Sequence, residues 1–397
     1  MVRPDNCQPQ SSAPRLSIGQ VLPVSFRTRV GLDLNPMKTR SLILTYISAL
    51  AAGLLLLNSC ATVSDEPAAD RALPSPTDEE VSSRPGIPTA LECPKSSIPE
   101  SQLSLVNFSD YPDDEIINCF NFAVNKIAEV QTDVMLMMYP VGPLLLPPGE
   151  VKNNDTFYKG AGFEPVMTAD QVDSMASSME RYLEPACGKE EAILQARQVS
   201  RFAELGGGQQ VAVRMGGSEE CRKKAWVILS IDPDRAGPST ELVTTFFHEV
   251  FHTVQARPSQ PCNYSGAPAD DDQLWIHEAG ATFFGLEMAA ELGNLNSDAV
   301  WWDHMDTISD LLANQQFGSE LADPGIAEKG AIALRLLVER GQLETSEVMD
   351  GSLYQNCGGQ PEAFRPQNIQ VAKDYWFDYS EVSEGGGFRF SETALTR

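Results

Sequence analysis

Histidine is scarce in this chain, with four in 397 residues. Cations are few as well: 29 Lys and Arg stand against 55 Asp and Glu, a formal net charge of −26. Nothing therefore supplies the cation excess needed to displace counterions from phosphates, which excludes a nucleic-acid partner. Electrostatic docking on an anionic leaflet is excluded on the same ground. No Cys-x-x-Cys pair occurs, so a cysteine metal site is not expected. Internal repeats are absent. The triple glycine at 206–208 follows a helical segment instead of opening one, which makes it a helix stop and not a phosphate cradle. What remains is a chain 42% hydrophobic and 8% aromatic, rich enough to build a core. Three of the four histidines lie between positions 248 and 277, and that clustering directs the rest of the reading.

From Met37 the sequence runs Met37-Lys38-Thr39-Arg40 and then into an apolar segment, 41–57. Its 17 residues fall short of the ~20 that a membrane-spanning helix needs. A short basic segment before an apolar core is the layout of a secretory signal, expected over 37–59. The segment ends in Leu57-Asn58-Ser59-Cys60-Ala61, which resembles the lipobox of bacterial lipoproteins, with Cys60 as the lipidated residue. Residues 1–36 would bury such a signal internally, so translation is expected to begin at Met37. Without 1–59 the chain loses six cations and two acids, and the balance becomes 23 − 53 = −30. The resemblance implies an exported protein held at the bacterial cell envelope, with Ala61 favouring the outer membrane. Residues 60–92 contain five prolines and no aromatic, and they read as a disordered tether between lipid and folded domain.

The folded part is expected over 93–397. Six cysteines lie beyond Cys60, at 93, 119, 187, 221, 262 and 357. An even number in an exported chain points to disulfides, and sequential pairing is expected among the 15 connectivities. Ile116, Ile117, Phe120, Val124 and Ile127 recur at helical spacing and predict a helix over about 113–131. The apolar stretch 134–148 reads as a strand or buried loop. Thr168 and Gln171 form a capping box for a helix to about 183, and a second helix follows over 189–205. Segments 210–215 and 225–231 read as two neighbouring strands. After Asp234 the pattern turns helical, over about 240–256, 273–292, 298–314, 326–340 and 345–355. This order predicts an α+β fold, with a mixed sheet preceding a mainly helical C-terminal part. Residues 93–200 could form a separate N-terminal subdomain.

Ser239 can cap the helix that carries His248-Glu249-Val250-Phe251-His252. Its surface is unusually apolar, so it should be buried. His248 and His252, four apart, share one face, separated by about one helical turn of about 5.4 Å pitch. Two imidazoles so placed can hold one zinc ion at roughly 2.0–2.1 Å. Glu249, about 100° round the helix, falls beside the open coordination position. Burying two His and a Glu among apolar neighbours would be costly without a ligand. The third ligand is expected from the next helix, where Glu278, His277 and Asp272 are the candidates.

Together, His248-Glu249-x-x-His252-x-x-Gln255 and Trp275-x-x-Glu278-x-x-Ala281-x-Phe283-Phe284 resemble the gluzincin metallopeptidases, over about 240–290. The resemblance implies a zincin-like fold with Zn2+ held by His248, His252 and Glu278. It further implies a hydrolase in which Glu249 is the general base for a metal-activated water attacking a peptide or protein substrate. Two departures from the family pattern stand out. Ala279-Gly280 occupies the place of Gly followed by a variable residue, and Thr282 replaces a carboxylate that orients a zinc-bound His in some members. Support for His248 or His252 is therefore expected from elsewhere. The interval from His252 to Glu278 is 26, and its insert, 256–272, reads as a surface loop. His304 is a candidate oxyanion donor, with Tyr354, Tyr375 and Tyr379 as rivals. Substrate is expected to lie along strand 225–231 by strand addition. The alternative reading is a catalytically inactive zincin-fold lipoprotein that acts as a binding or scaffold protein.

Overall fold

The computed structural model describes residues 91–95, 102–127, 132–146, 162–204, 210–231, 240–255, 270–314, 320–321, 325–355, 362–382 and 387–397. The signal segment, Cys60 and the tether up to residue 90 lie outside them, as do Cys262 and Cys357. All of the described residues fall within one compact unit, Leu44–Arg397.

A four-stranded sheet forms its framework. The strands are β1 (Leu103–Asn107), β2 (Asp133–Pro140), β5 (Gln210–Arg214) and β6 (Lys224–Ile231), in the order β1-β2-β6-β5. β1, β2 and β6 run parallel, while β5 closes one edge antiparallel to β6. β2 is apolar almost throughout because both of its faces are covered, the usual state of a central parallel strand. Val134, Leu136 and Met138 point into one core, and Met135, Met137 and Tyr139 into another, following the two-residue period of a strand. A short β3 (Leu144–Leu146) and β4 (Gly162–Phe163) pair beside the sheet. The stretch 134–148, open between strand and buried loop in the sequence, thus contains two strands.

One face of the sheet is covered by α2 (Ala169–Cys187) and α3 (Lys189–Glu204), which form the second core with the methionine face of β2. The expected capping box at Thr168 and Gln171 is present and starts α2. The opposite face receives α1 (Asp113–Val124), α4 (Thr240–Gln255), α5 (Asp270–Leu292) and the helices that follow. These are α6 (Ser297–Ala313), α7 (Ile326–Glu339), α8 (Thr345–Met349), α9 (Ser352–Gln355), α10 (Pro366–Tyr375) and α11 (Glu392–Thr396), with a hairpin of β7 (Tyr379–Val382) and β8 (Gly387–Phe390) before the last. The architecture is α+β, a mixed sheet followed by a mostly helical part.

Several expectations are corrected. Segment 225–231 is not an edge: β6 is bonded to β2 on one side and β5 on the other, so it has no free ladder to offer a substrate. Among the described strands the edges are β1 and β5. Segment 345–355 is broken into α8 and α9 at Gly351, whose φ of 73° a helix interior does not allow. Leu91, assigned to the tether, is fully buried in the first core. β1, α1, β2, α2 and α3 share one sheet and two cores with the later elements. Two of the three expected disulfides are present, Cys93–Cys119 and Cys187–Cys221. Closing loops of 26 and 34 residues contributes about 3.5 kcal/mol each in the chain-entropy description.

Candidate metal centre

The chemistry-bearing residues lie where α4 crosses α5. Both helices are packed on nearly every side, since Phe246, Phe247, Val250 and Phe251 on one and Trp275, Ile276, Ala281 and Phe284 on the other are buried. Phe251 stacks on Phe284, 4.6 Å between ring centres. The backbones approach closely at Gly285: a Cβ there would lie 2.5 Å from the carbonyl oxygen of Thr244, one turn before His248. Small residues at this crossing set how far apart the two helices' side chains stand.

Across that interface three donor atoms converge. His248 Nε2 lies 3.4 Å and His252 Nε2 3.5 Å from Glu278 Oε2, and the two ring nitrogens are 2.9 Å apart. Donors placed tetrahedrally about zinc at 2.0–2.1 Å stand about 3.3 Å from one another. The set matches that spacing, with the imidazole pair somewhat closer, and two nitrogens and one carboxylate oxygen are a donor set that zinc accepts. Among the described residues these three are the only His, Cys, Asp and Glu side chains that converge in this way. The expected assignment is therefore the one the geometry brings together. His277 points elsewhere, its ring 5.7 Å from that of Tyr354. Asp272 falls in the first turn of α5, with its side chain outside the described residues.

The electrostatics have the same sense. Burial opposes a charge on His252, but the charge and hydrogen bond of Glu278 outweigh it, helped by Glu249 and Gln255, and lift the imidazole from 6.5 to about 9. Burial likewise favours a neutral Glu278, yet His252 and His248 hold its carboxyl well below the usual range. Glu249, 5% exposed, is pushed upward by burial, against the pull of His248 and His252. Its carboxylate also accepts the backbone N–H of Ala212, which places the edge strand β5 beside it.

Support for His248 or His252 was expected from elsewhere than Thr282; that holds for His252 and is corrected for His248. Thr282 Oγ1 lies 3.0 Å from His248 Nδ1, because residues four apart on α5 share a face and the hydroxyl reaches where the longer carboxylate would. Gln255 Oε1 lies 2.6 Å from His252 Nδ1. The Ala279-Gly280 departure also has a local cause. A Cβ at Gly280 would lie 1.9 Å from the hydroxyl of buried Tyr354, while the methyl of Ala279 packs against α7 at Gly330.

The oxyanion candidates are mostly engaged. Tyr354 is buried and donates to the Ile276 carbonyl, and Tyr379 shares a hydrogen bond with Ser309. His304 sits on α6 with Nε2 3.2 Å from the Glu328 carbonyl, a tie between α6 and α7. Burial lowers His304 to about 4. Sequence reasoning passed over Glu328 in the first turn of α7. Its carboxyl is raised by burial and lies within the fields of His248 and Glu278. No spacing pattern connects it to Glu278, fifty residues earlier.

His304 carries a prediction about acid stability. Its folded value, about 4, lies below the unfolded 6.5, so between them the unfolded chain binds more protons. Stability is lost as pH falls from 6.5 toward 4. A His304→Gln variant keeps a donor for the Glu328 carbonyl but cannot titrate. Urea unfolding of the metal-free chain at pH 7 and pH 4 should show the variant losing less stability, by on the order of 3 kcal/mol. Equal losses in both proteins would rule the assignment out.

Comparison with family models, with curated proteins and with solved structures returns no match. Among the described residues no helix is long and apolar enough to cross a membrane.

Proposed function

We propose that the chain is a zinc-dependent peptidase of the gluzincin type with a zincin-like fold, carried on a lipid-anchored envelope protein through Cys60. The observation that carries the reading is the convergence of His248, His252 and Glu278 with Glu249 adjoining them on a buried helix. A zinc ion held by those three side chains would supply Lewis acidity toward a water molecule and a scissile carbonyl.

The remaining steps belong to the chain itself. Glu249 takes a proton from the attacking water and passes it to the leaving amine as the C–N bond breaks. Its burial suits the task, since a carboxyl raised above its ordinary range is a better base. An extended substrate would add to β5, the edge strand that touches Glu249 through Ala212, in place of the internal strand first expected.

The decisive experiment is metal analysis of the purified chain beside its activity on a mixed peptide library. The expected result is one zinc per chain, with cleavage abolished by a strong chelator and restored by added zinc. A chain that carries no zinc and cleaves nothing overturns the proposal. Stoichiometric zinc without cleavage would favour the binding or scaffold protein instead.

A further inference from the structure

One amide joins the two ligand-bearing helices. Gln255 is three residues beyond His252 and 1% exposed. Its Nε2 donates to the carbonyl of His277, the residue before Glu278, at 2.7 Å. A carbonyl can only accept, so this bond fixes which end of the amide is which, and Oε1 is left facing His252 Nδ1 at 2.6 Å. An amide oxygen can only accept in turn, so the proton of a neutral His252 is drawn to Nδ1 and its lone pair to Nε2.

We propose that Gln255 is a positioning residue for the metal, holding His252 in the tautomer that presents Nε2 to the ion. The inference rests on the reading of His248, His252 and Glu278 as zinc ligands. Gln255 is not one of the three converging donors and acts through the ring of His252. Being neutral, it polarises the imidazole less than a carboxylate in that position would. The clasp is reciprocal, since Thr282 on α5 partners His248 on α4. Gln255 has the deeper role of the two because its far end is anchored to the main chain beside the third ligand.

Two variants of the full chain separate tautomer control from packing. Gln255→Met keeps the length of the side chain and removes both hydrogen bonds. Gln255→Glu keeps an acceptor for His252 Nδ1 and removes the donor to the His277 carbonyl. Zinc affinity is measured by competition with a chromophoric chelator, alongside thermal melting of the metal-free proteins. Gln255→Met should bind zinc 10- to 100-fold more weakly than wild type. Gln255→Glu should bind at least as tightly as wild type, although its metal-free form is less stable. Wild-type affinity in Gln255→Met overturns the inference. So does an affinity in Gln255→Glu as low as in Gln255→Met, which would make Gln255 an anchor for α5 and nothing more. Absence of zinc binding by the wild-type chain overturns the peptidase reading itself.

Discussion

Replacing Glu249 with Gln should lower kcat/KM on a cleavable peptide by a factor on the order of 10²–10⁴ while leaving one zinc per chain. The amide fills the same volume but cannot take a proton from water or return one to the leaving amine. Metal content should hold because Glu249 lies outside the three converging donors. Folding stability should hold or rise, since a carboxyl raised by burial disfavours the charged folded state and an amide does not. The pH profile gives a second readout. Because Glu249 titrates above the usual 4.5, wild-type activity should fall as pH drops through that raised value, and the variant's residual activity should lack that limb. A variant that loses zinc together with activity would mean that Glu249 shapes the site instead of serving the reaction. Unchanged cleavage would remove it from the mechanism.

Gly285→Ala should damage both the fold and the metal site. The added methyl would stand 2.5 Å from the Thr244 carbonyl oxygen and 3.5 Å from the backbone nitrogen of His248. Neither atom can swing away as a side chain can. Restoring ordinary contact requires α5 to retreat from α4 by about 1 Å, which opens the packed face around Phe251 and Phe284. Overpacking of this kind costs about 1–3 kcal/mol, more where backbone is forced apart. At 2–4 °C for each kcal/mol in a domain of this size, a Tm lower by up to about 10 °C is expected. The retreat also separates Glu278 on α5 from the two imidazoles on α4, so zinc affinity should fall with the Tm. A melting point within a degree or two of wild type, with zinc affinity intact, would show that the helix pair is more compliant than its packing implies.

Much of the site was legible because its signals are local. His248, Glu249 and His252 fall on one helix, whose period alone gives their relative directions. Helical neighbours point about 100° apart, so Glu278 and His277 could not both be expected to face His248 and His252, and the resemblance to the gluzincin pattern favoured Glu278. The two strands before the helix, the capping box at Thr168 and two disulfide pairs were readable for similar reasons: each rests on a few adjacent residues or on chain order. Illegible features all depend on partners distant in sequence. Strand 225–231 reads as a strand either way, but whether it is an edge depends on β5 and β2 lying on either side of it. β1, α10 and the β7–β8 hairpin have weak local patterns and are held by the core they join. The role of Thr282 was misjudged because a pattern compares residue types, whereas a hydroxyl and a carboxylate differ in reach by about one bond, which a helix crossing can absorb.

The amino-acid order by itself placed His248 and His252 on one helical face with Glu249 beside them, because those directions follow from rise and period within a single element. Which groups steady those donors was decided only by tertiary structure. Gln255 and Thr282 meet His252 and His248, and Glu328 comes within the fields of His248 and Glu278, through helices packing at a separation set by Gly285 and Gly330. Such a separation is a balance of contacts between chain segments, and no window of consecutive residues contains it.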